Sequence, residues 1–263
     1  MSITVKFQGI HEITAMLSDL DKRQIPFAMK TGINKTAEMV KTYEAKGVKT
    51  HIDRPTQHTM RTLVIGYASK AKSGEKTVAS VGFTDDYNNK FGGTPGARFM
   101  YPQVEGGQRN LKRFEHALRY KGILPNNMYV VPGAGCTLDA FGNIPVSFIN
   151  QIISYFGAVY KSGYNAEMTT KKKKRLAKGS KSTGFGYEYF ISRGKASGST
   201  LFPGIYKRVK FSAGTAIKPM LMFVKEPAYA KRFPFYEIGK DAFSKHWKKY
   251  FDEALTNALK TAK

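Results

Sequence analysis

At 263 residues, 41% of them hydrophobic, the chain has material for one large domain or two small ones and can bury a core without cross-links. Its 43 Lys and Arg against 19 Asp and Glu give a formal charge of +24, which favours polyanions or acidic protein surfaces as partners and says nothing of fold. Cys136 is the single cysteine, which excludes an intramolecular disulfide, and apolar runs such as PMLMFV at 219–224 are too short to cross a bilayer. The opening MSITVKFQGIHEI lacks a basic stretch followed by an apolar one, so a soluble protein with no membrane partner is expected.

ITVKF at 3–7 alternates like a short strand. After Gln24 the chain turns helical: Pro26 suits an early helical position, and Met29, Ile33, Ala37, Val40 and Tyr43 recur at spacings of four and three, opposite Lys30, Lys35 and Lys41. Gly47 is expected to end that helix. TLVIGYAS at 62–69 and KTVASVGF at 76–83 flank the polar KAKSGE and read as a hairpin. From Asp85 to Gly107 the chain is rich in Gly, Asn and Pro and reads as a long loop. RNLKRFEHALRYKG then puts Leu111, Phe114, Ala117 and Leu118 on one helical face, with Gly122 as a stop.

NMYVVPG at 127–133 reads as a strand, and a densely apolar helix starts near Pro145, with Val146, Ile149, Ile153 and Phe156 on one side. YEYFISRG, GIYKRVKF and IKPMLMFVKE follow as strands. The last segment, 236–263, is the clearest helix, with Ile238, Phe243, Trp247, Tyr250, Phe251, Ala254, Leu255 and Ala258 at helical spacing. Helices and strands do not alternate regularly. The expectation is therefore an α+β fold: a mixed or antiparallel sheet packed by long N- and C-terminal amphipathic helices, in one domain over 1–263 with loop insertions near 84–107 and 161–184.

The densest charge is TTKKKKRLAKGSKSTG at 169–184, where Lys171, Lys172, Lys173, Lys174, Arg175, Lys178 and Lys181 meet no acidic residue. Three readings stay open: a contact for phosphates or an acidic partner through counterion release, an import-like signal, or a solvated loop. TGFGYEYF at 183–190 approaches an RNA-recognition octapeptide, but Thr183 replaces the basic first residue and Glu188 stands where an aliphatic core residue belongs. An aromatic strand beside a loop is the simpler account.

His11, His51, His58, His116 and His246 lack metal-site spacing, and Asp85 with Asp86 falls short of a carboxylate set. GAGC around Cys136 reads as a small-residue turn, with no His and acid paired to it by spacing. PGAG and GGTPG lack the Lys and Ser/Thr of a phosphate-binding loop. No catalytic set is assembled, so the expectation is a protein that is not an enzyme and takes no cofactor or metal.

Three stretches together, LSDLDKRQIPFAMKTGINKTAEMVK, VEGGQRNLKRFEHALRYKGILPNNMYVVPG and FPFYEIGKDAFSKHWKKYFDEALTNAL, resemble phage minor tail proteins of the Z type, within the tail-completion and neck proteins of tailed phages. The opening matches at Pro26, Ala28, Ile33 and Asn34, and the ends of the chain match better than the middle. The resemblance covers about half the chain and carries no motif-borne functional residue. It implies an α+β virion protein without catalysis or cofactor, placed where the tail or neck meets the head, and with the basic charge the expectation is a homo-oligomeric ring at the tail or head-tail junction. Its partners would be other tail, neck or portal-complex proteins and the packaged DNA. Extra length near Thr84–Gly107 and in the lysine region departs from the family. The alternative is a sequence-independent nucleic-acid-binding protein that acts through its basic surface.

Overall fold

The computed structural model describes residues 24–69, 77–85, 93–158, 167–179, 185–211, 213–225 and 228–261. The expected strand at 3–7 and the KAKSGE turn lie outside them. The fold is α+β with antiparallel sheets. Where the sequence suggested one domain, the contacts group into two compact units: Met1–Val104 with Lys231–Lys263, and Glu105–Ala230.

The first unit is organised by two 27-residue helices, α1 (Ile25–His51) and α7 (Phe235–Thr261). They pack antiparallel, Ala28 meeting Ala254 and Ala258 at one end and Gly47 meeting Ile238 at the other. The buried stripe of α1 runs through Ala28, Gly32, Thr36, Ala37, Glu44, Gly47 and Val48, so it is made largely of small residues. A Cβ on Gly32 would stand 3.0 Å from the Phe251 Cα, and one on Gly47 would stand 2.7 Å from Ile238 Cδ1. Close approach selects these residues, Gly32 against the α7 backbone and Gly47 against the Ile238 and Phe233 side chains, because an extra carbon would require these neighbours to shift. It also explains why Gly47 does not end α1 as expected: the helix runs on to His51, with the Ile52 N–H closing on the Val48 carbonyl at 2.9 Å.

Thr56 caps the short α2 (Gln57–Arg61) by accepting from the Thr59 N–H. The hairpin strands β1 (Leu63–Gly66) and β2 (Ser80–Phe83) pair antiparallel as expected, Leu63 opposite Phe83, and both contact α1. The loop expected over 85–107 contains a helix, α3 (Gly96–Val104), despite Pro102 in its interior. Burial outweighs the local break here: Met100 and Val104, one turn apart, pack with Val48 and the fully buried Phe233. The Gln103 carbonyl accepts from the Arg232 and Phe233 N–H groups, both at 2.9 Å.

In the second unit the four-stranded sheet has order β4-β7-β6-β5, all antiparallel, from β4 (Met128–Pro132), β5 (Gly186–Ser192), β6 (Gly204–Phe211) and β7 (Gly214–Lys225). β5, β6 and β7 follow in chain order, and β4 lies beside β7, the strand order of a Greek key. A two-residue pairing of β3 (Gly107–Gln108) with β8 (Ala228–Tyr229) lies near the unit's two chain ends. Helices α4 (Arg113–Tyr120) and α5 (Val146–Phe156) supply Phe114, Leu118, Ile152 and Ile153 to a core with Val130, Tyr189, Ile205, Leu221 and Phe223 of the sheet. Gly122 (φ 70°) and Gly157 (φ 64°) follow α4 and α5 in the left-handed conformation that glycine tolerates best.

Glu115, wholly buried, ties α4 to β4. Its carboxylate accepts from the Lys112 N–H at 2.7 Å, the Val130 N–H at 2.7 Å and the Arg109 guanidinium at 2.8 Å. Burial alone would raise its pKa, but the Arg109 hydrogen bond and the two backbone donors outweigh it and hold Glu115 below the usual carboxylate range.

Two outcomes are expected for the helix pair. Gly32→Val places methyl groups against the α7 backbone and should lower stability by about 2 kcal/mol, or roughly 5 °C in Tm; an unchanged melting curve would contradict the close contact. The second concerns Glu44 of α1, fully buried with no hydrogen-bond partner for either oxygen among the described residues, where burial pushes the pKa from 4.5 up to about 8. The folded protein then keeps a proton that the unfolded chain has lost, so stability falls as pH rises from about 4.5 to 8, by at most about 1.4 kcal/mol per pH unit. Urea unfolding at pH 5, 6, 7 and 8 should show this slope, and Glu44→Gln should remove its share.

Candidate polyanion-binding surface

The stretch expected as a lysine loop forms a helix, α6 (Thr170–Lys178). The Thr169 hydroxyl accepts from the Lys172 N–H at 3.3 Å, and at the other end the Gly179 N–H, with φ 81°, closes on the Arg175 and Leu176 carbonyls. Lys171 with Arg175 and Lys174 with Lys178 are like-charge pairs one turn apart, each unfavourable by about 0.2–0.5 kcal/mol. Half-burial of Lys173, Leu176 and Ala177, at the i, i+3, i+4 positions of one face, offsets this as the helix packs on β5, the edge strand. Gly186 of β5 is the close contact, since a Cβ there would run into the Ala177 carbonyl.

That packing sorts the cations. Lys173 turns inward, its ammonium 5.4 Å from the Tyr155 ring centroid and 3.8 Å from Glu167. Lys171, Lys172, Lys174, Arg175 and Lys178 are exposed and have no ion-pair partner among the described residues. At about 100° per residue, Lys171, Lys174, Arg175 and Lys178 fall within a single arc of about 100°, with Lys172 at its flank. The stripe is about 10 Å long at 1.5 Å rise per residue. Lys181 lies outside the described residues.

The sheet carries further cations that sequence alone does not assemble. The β6-β7 register sets Lys207 directly opposite Lys218. Burial first, and then Lys218, lower the Lys207 pKa, and its ammonium sits 4.0 Å from the Tyr187 ring centroid. Arg208 differs in having its charge met by Glu188 at 2.7 Å while its guanidinium lies over Phe190.

The other sequence candidates are placed as follows. Tyr189 packs with Phe148 and Tyr155 of α5, and the Tyr187 hydroxyl accepts from Gln151. These two aromatics of the octapeptide-like segment therefore face the core instead of offering a stacking platform, while Glu188 serves Arg208. Cys136 is buried in a turn, the Gly135 N–H donating to the Pro219 carbonyl, and burial pushes its thiol pKa up, away from the thiolate. His58 pairs with the Thr94 carbonyl and His246 with the Tyr43 hydroxyl. Among the described residues no three His, Cys, Asp or Glu side chains converge as metal ligands, and no helix is long and apolar enough to cross a membrane.

The candidate surface is thus the outer face of α6, positioned by its inner face on β5. No protein-family model matches this chain, and neither a curated protein sequence nor a solved structure was found to be similar to it.

Proposed function

We propose that the protein is a non-enzymatic structural subunit of a tailed-phage virion, at the tail or head-tail junction, forming a ring around the DNA path with α6 contacting phosphates. The carrying observation is the stripe of Lys171, Lys174, Arg175 and Lys178, exposed and without carboxylate partners among the described residues. A helix face of this kind gains affinity by releasing counterions and reads charge, not bases. The placement in a virion rests on the resemblance of the first, middle and last segments to phage minor tail proteins of the Z type. Exposed apolar side chains such as Phe202 (74%) and Val146 (71%) suit contacts between subunits.

The same stripe supports a second reading, a sequence-independent nucleic-acid-binding protein that works outside a particle. The two part on location. Mass spectrometry of purified particles should find the chain at ring stoichiometry, and its absence from mature particles would end the virion reading while leaving the second intact.

The phosphate contact has its own measurement. Replacing Lys171, Lys174, Arg175 and Lys178 together with Gln removes four cations from exposed positions with little effect on the fold. Each lost phosphate contact should flatten the dependence of log K on log salt by about 0.9, so the slope on duplex DNA should fall by about 3 to 4. An unchanged slope would show that α6 does not meet DNA.

A further inference from the structure

The first unit holds an open cavity of roughly 280 Å³ between α1, the β2 segment and α7. Ile33, Val40, Val81, Phe235 and Phe243 make its walls apolar, and Glu44 also lines it. The Glu44 carboxyl is the anomaly of this chain. In a protein with 43 Lys and Arg it is fully buried, and among the described residues neither oxygen has a hydrogen-bond partner and no cation pairs with it. Leaving such a group unsatisfied costs about 1–3 kcal/mol or more. Gly239 gives the carboxyl its room, since a Cβ there would come within 3.1 Å of Glu44 Oε1.

We infer that this cavity is a binding site for a primary ammonium on a short aliphatic stem, the chemistry of an alkylamine or of a lysine side chain, with Glu44 as the acceptor of its N–H bonds. The stem matches the apolar walls. The ammonium brings three donors and no acceptor, which suits a carboxylate that has no other partner. Neither Glu44 oxygen touches solvent in the unliganded form, so binding requires the side chain to turn toward the cavity it lines. Among the described residues, the other polar or charged groups lining the cavity are Lys240 and Tyr236 of α7, both exposed; α1 and the β2 segment add only apolar side chains. Among the described residues that line the cavity Lys240 is thus the competing cation, and this site is independent of the α6 surface.

Binding a cation requires the ionised carboxylate. With Glu44 titrating at about 8, about one carboxyl in a hundred is ionised at pH 6 and about three in four at pH 8.5, while the amine stays charged throughout. Affinity should therefore rise about seventyfold across that interval and then level off.

The experiment titrates the full chain with n-hexylammonium, n-hexanol and Nα-acetyl-lysine amide by calorimetry at pH 6, 7.5 and 8.5. Trp247, the single tryptophan, stacks on Phe243 at 5.7 Å and gives an optical reading of the same cavity. Hexylammonium is expected to bind more tightly than hexanol, with the stated pH dependence. Glu44→Gln, checked for an unchanged fold by circular dichroism, should erase both the preference and the pH dependence, and Lys240→Met should strengthen binding. If the lysine amide binds at least as well as hexylammonium, the natural occupant is a lysine side chain; if only hexylammonium binds, it is a free amine. Equal binding of hexylammonium and hexanol, a preference that survives Glu44→Gln, or no binding to either the native chain or Lys240→Met overturns the site.

Discussion

The first unit depends on the absence of side-chain carbon where α1 and α7 cross. Gly32 lies against the backbone of Phe251, Gly47 against Ile238 and Phe233, and Gly239 against Glu44. The two helices are long enough to bury a large area, but that area is gained only if their axes come close, and at these points an added methyl group would require its neighbours to shift. Val48, on the stripe that this approach defines, packs with Phe233, Met100 and Val104 in the neighbouring apolar cluster. α3, whose Pro102 argues against a helix, holds its shape by joining that cluster.

Two wholly buried glutamates show how differently one side chain can be treated. Glu115 is surrounded by donors from α4, β4 and Arg109, so its charge is an asset that fixes the helix to the sheet. Glu44 has no donor among the described residues and avoids ionisation by keeping its proton. The first arrangement is explained by the architecture of its unit. The second leaves a buried carboxyl without a hydrogen-bond partner among the described residues, which is why it points beyond the fold to a ligand.

Much of the architecture was legible in the sequence. The α+β class, the β1-β2 hairpin, the four sheet strands, and helices α1, α4, α5 and α7 follow from periodicity and from Gly and Pro positions. What failed did so for nameable reasons. The apolar period in α1 pointed to Met29, Val40 and Tyr43, while the buried stripe runs through small residues selected by a partner helix about 200 positions away. The sequence puts 169–184 among the loop insertions because dense cations beside Gly and Ser suit a solvated segment; the half-burial of Leu176 and Ala177 that supports α6 comes from packing on β5. Of the candidate cations, six are placed on α6, but which five face outward needed the packing. The Lys207-Lys218 opposition depends on strand register, and the isolation of Glu44 on what a distant helix lacks; neither leaves a local mark.

Tyr43 and His246, in contact across the helix pair, are 203 residues apart in the chain. At ribosomal rates of about 5–20 residues per second, α7 follows α1 by about 10 to 40 s, and residues 105–230, a compact unit in their own right, are complete before it emerges. Throughout that interval α1 has no helix to dock on. Its Glu44 is then in water, where a carboxyl with the ordinary value of 4.5 is ionised. The final closure of the first unit is therefore coupled to the capture of a proton from the medium, and nascent chains made in a more alkaline cytoplasm close it against a larger penalty.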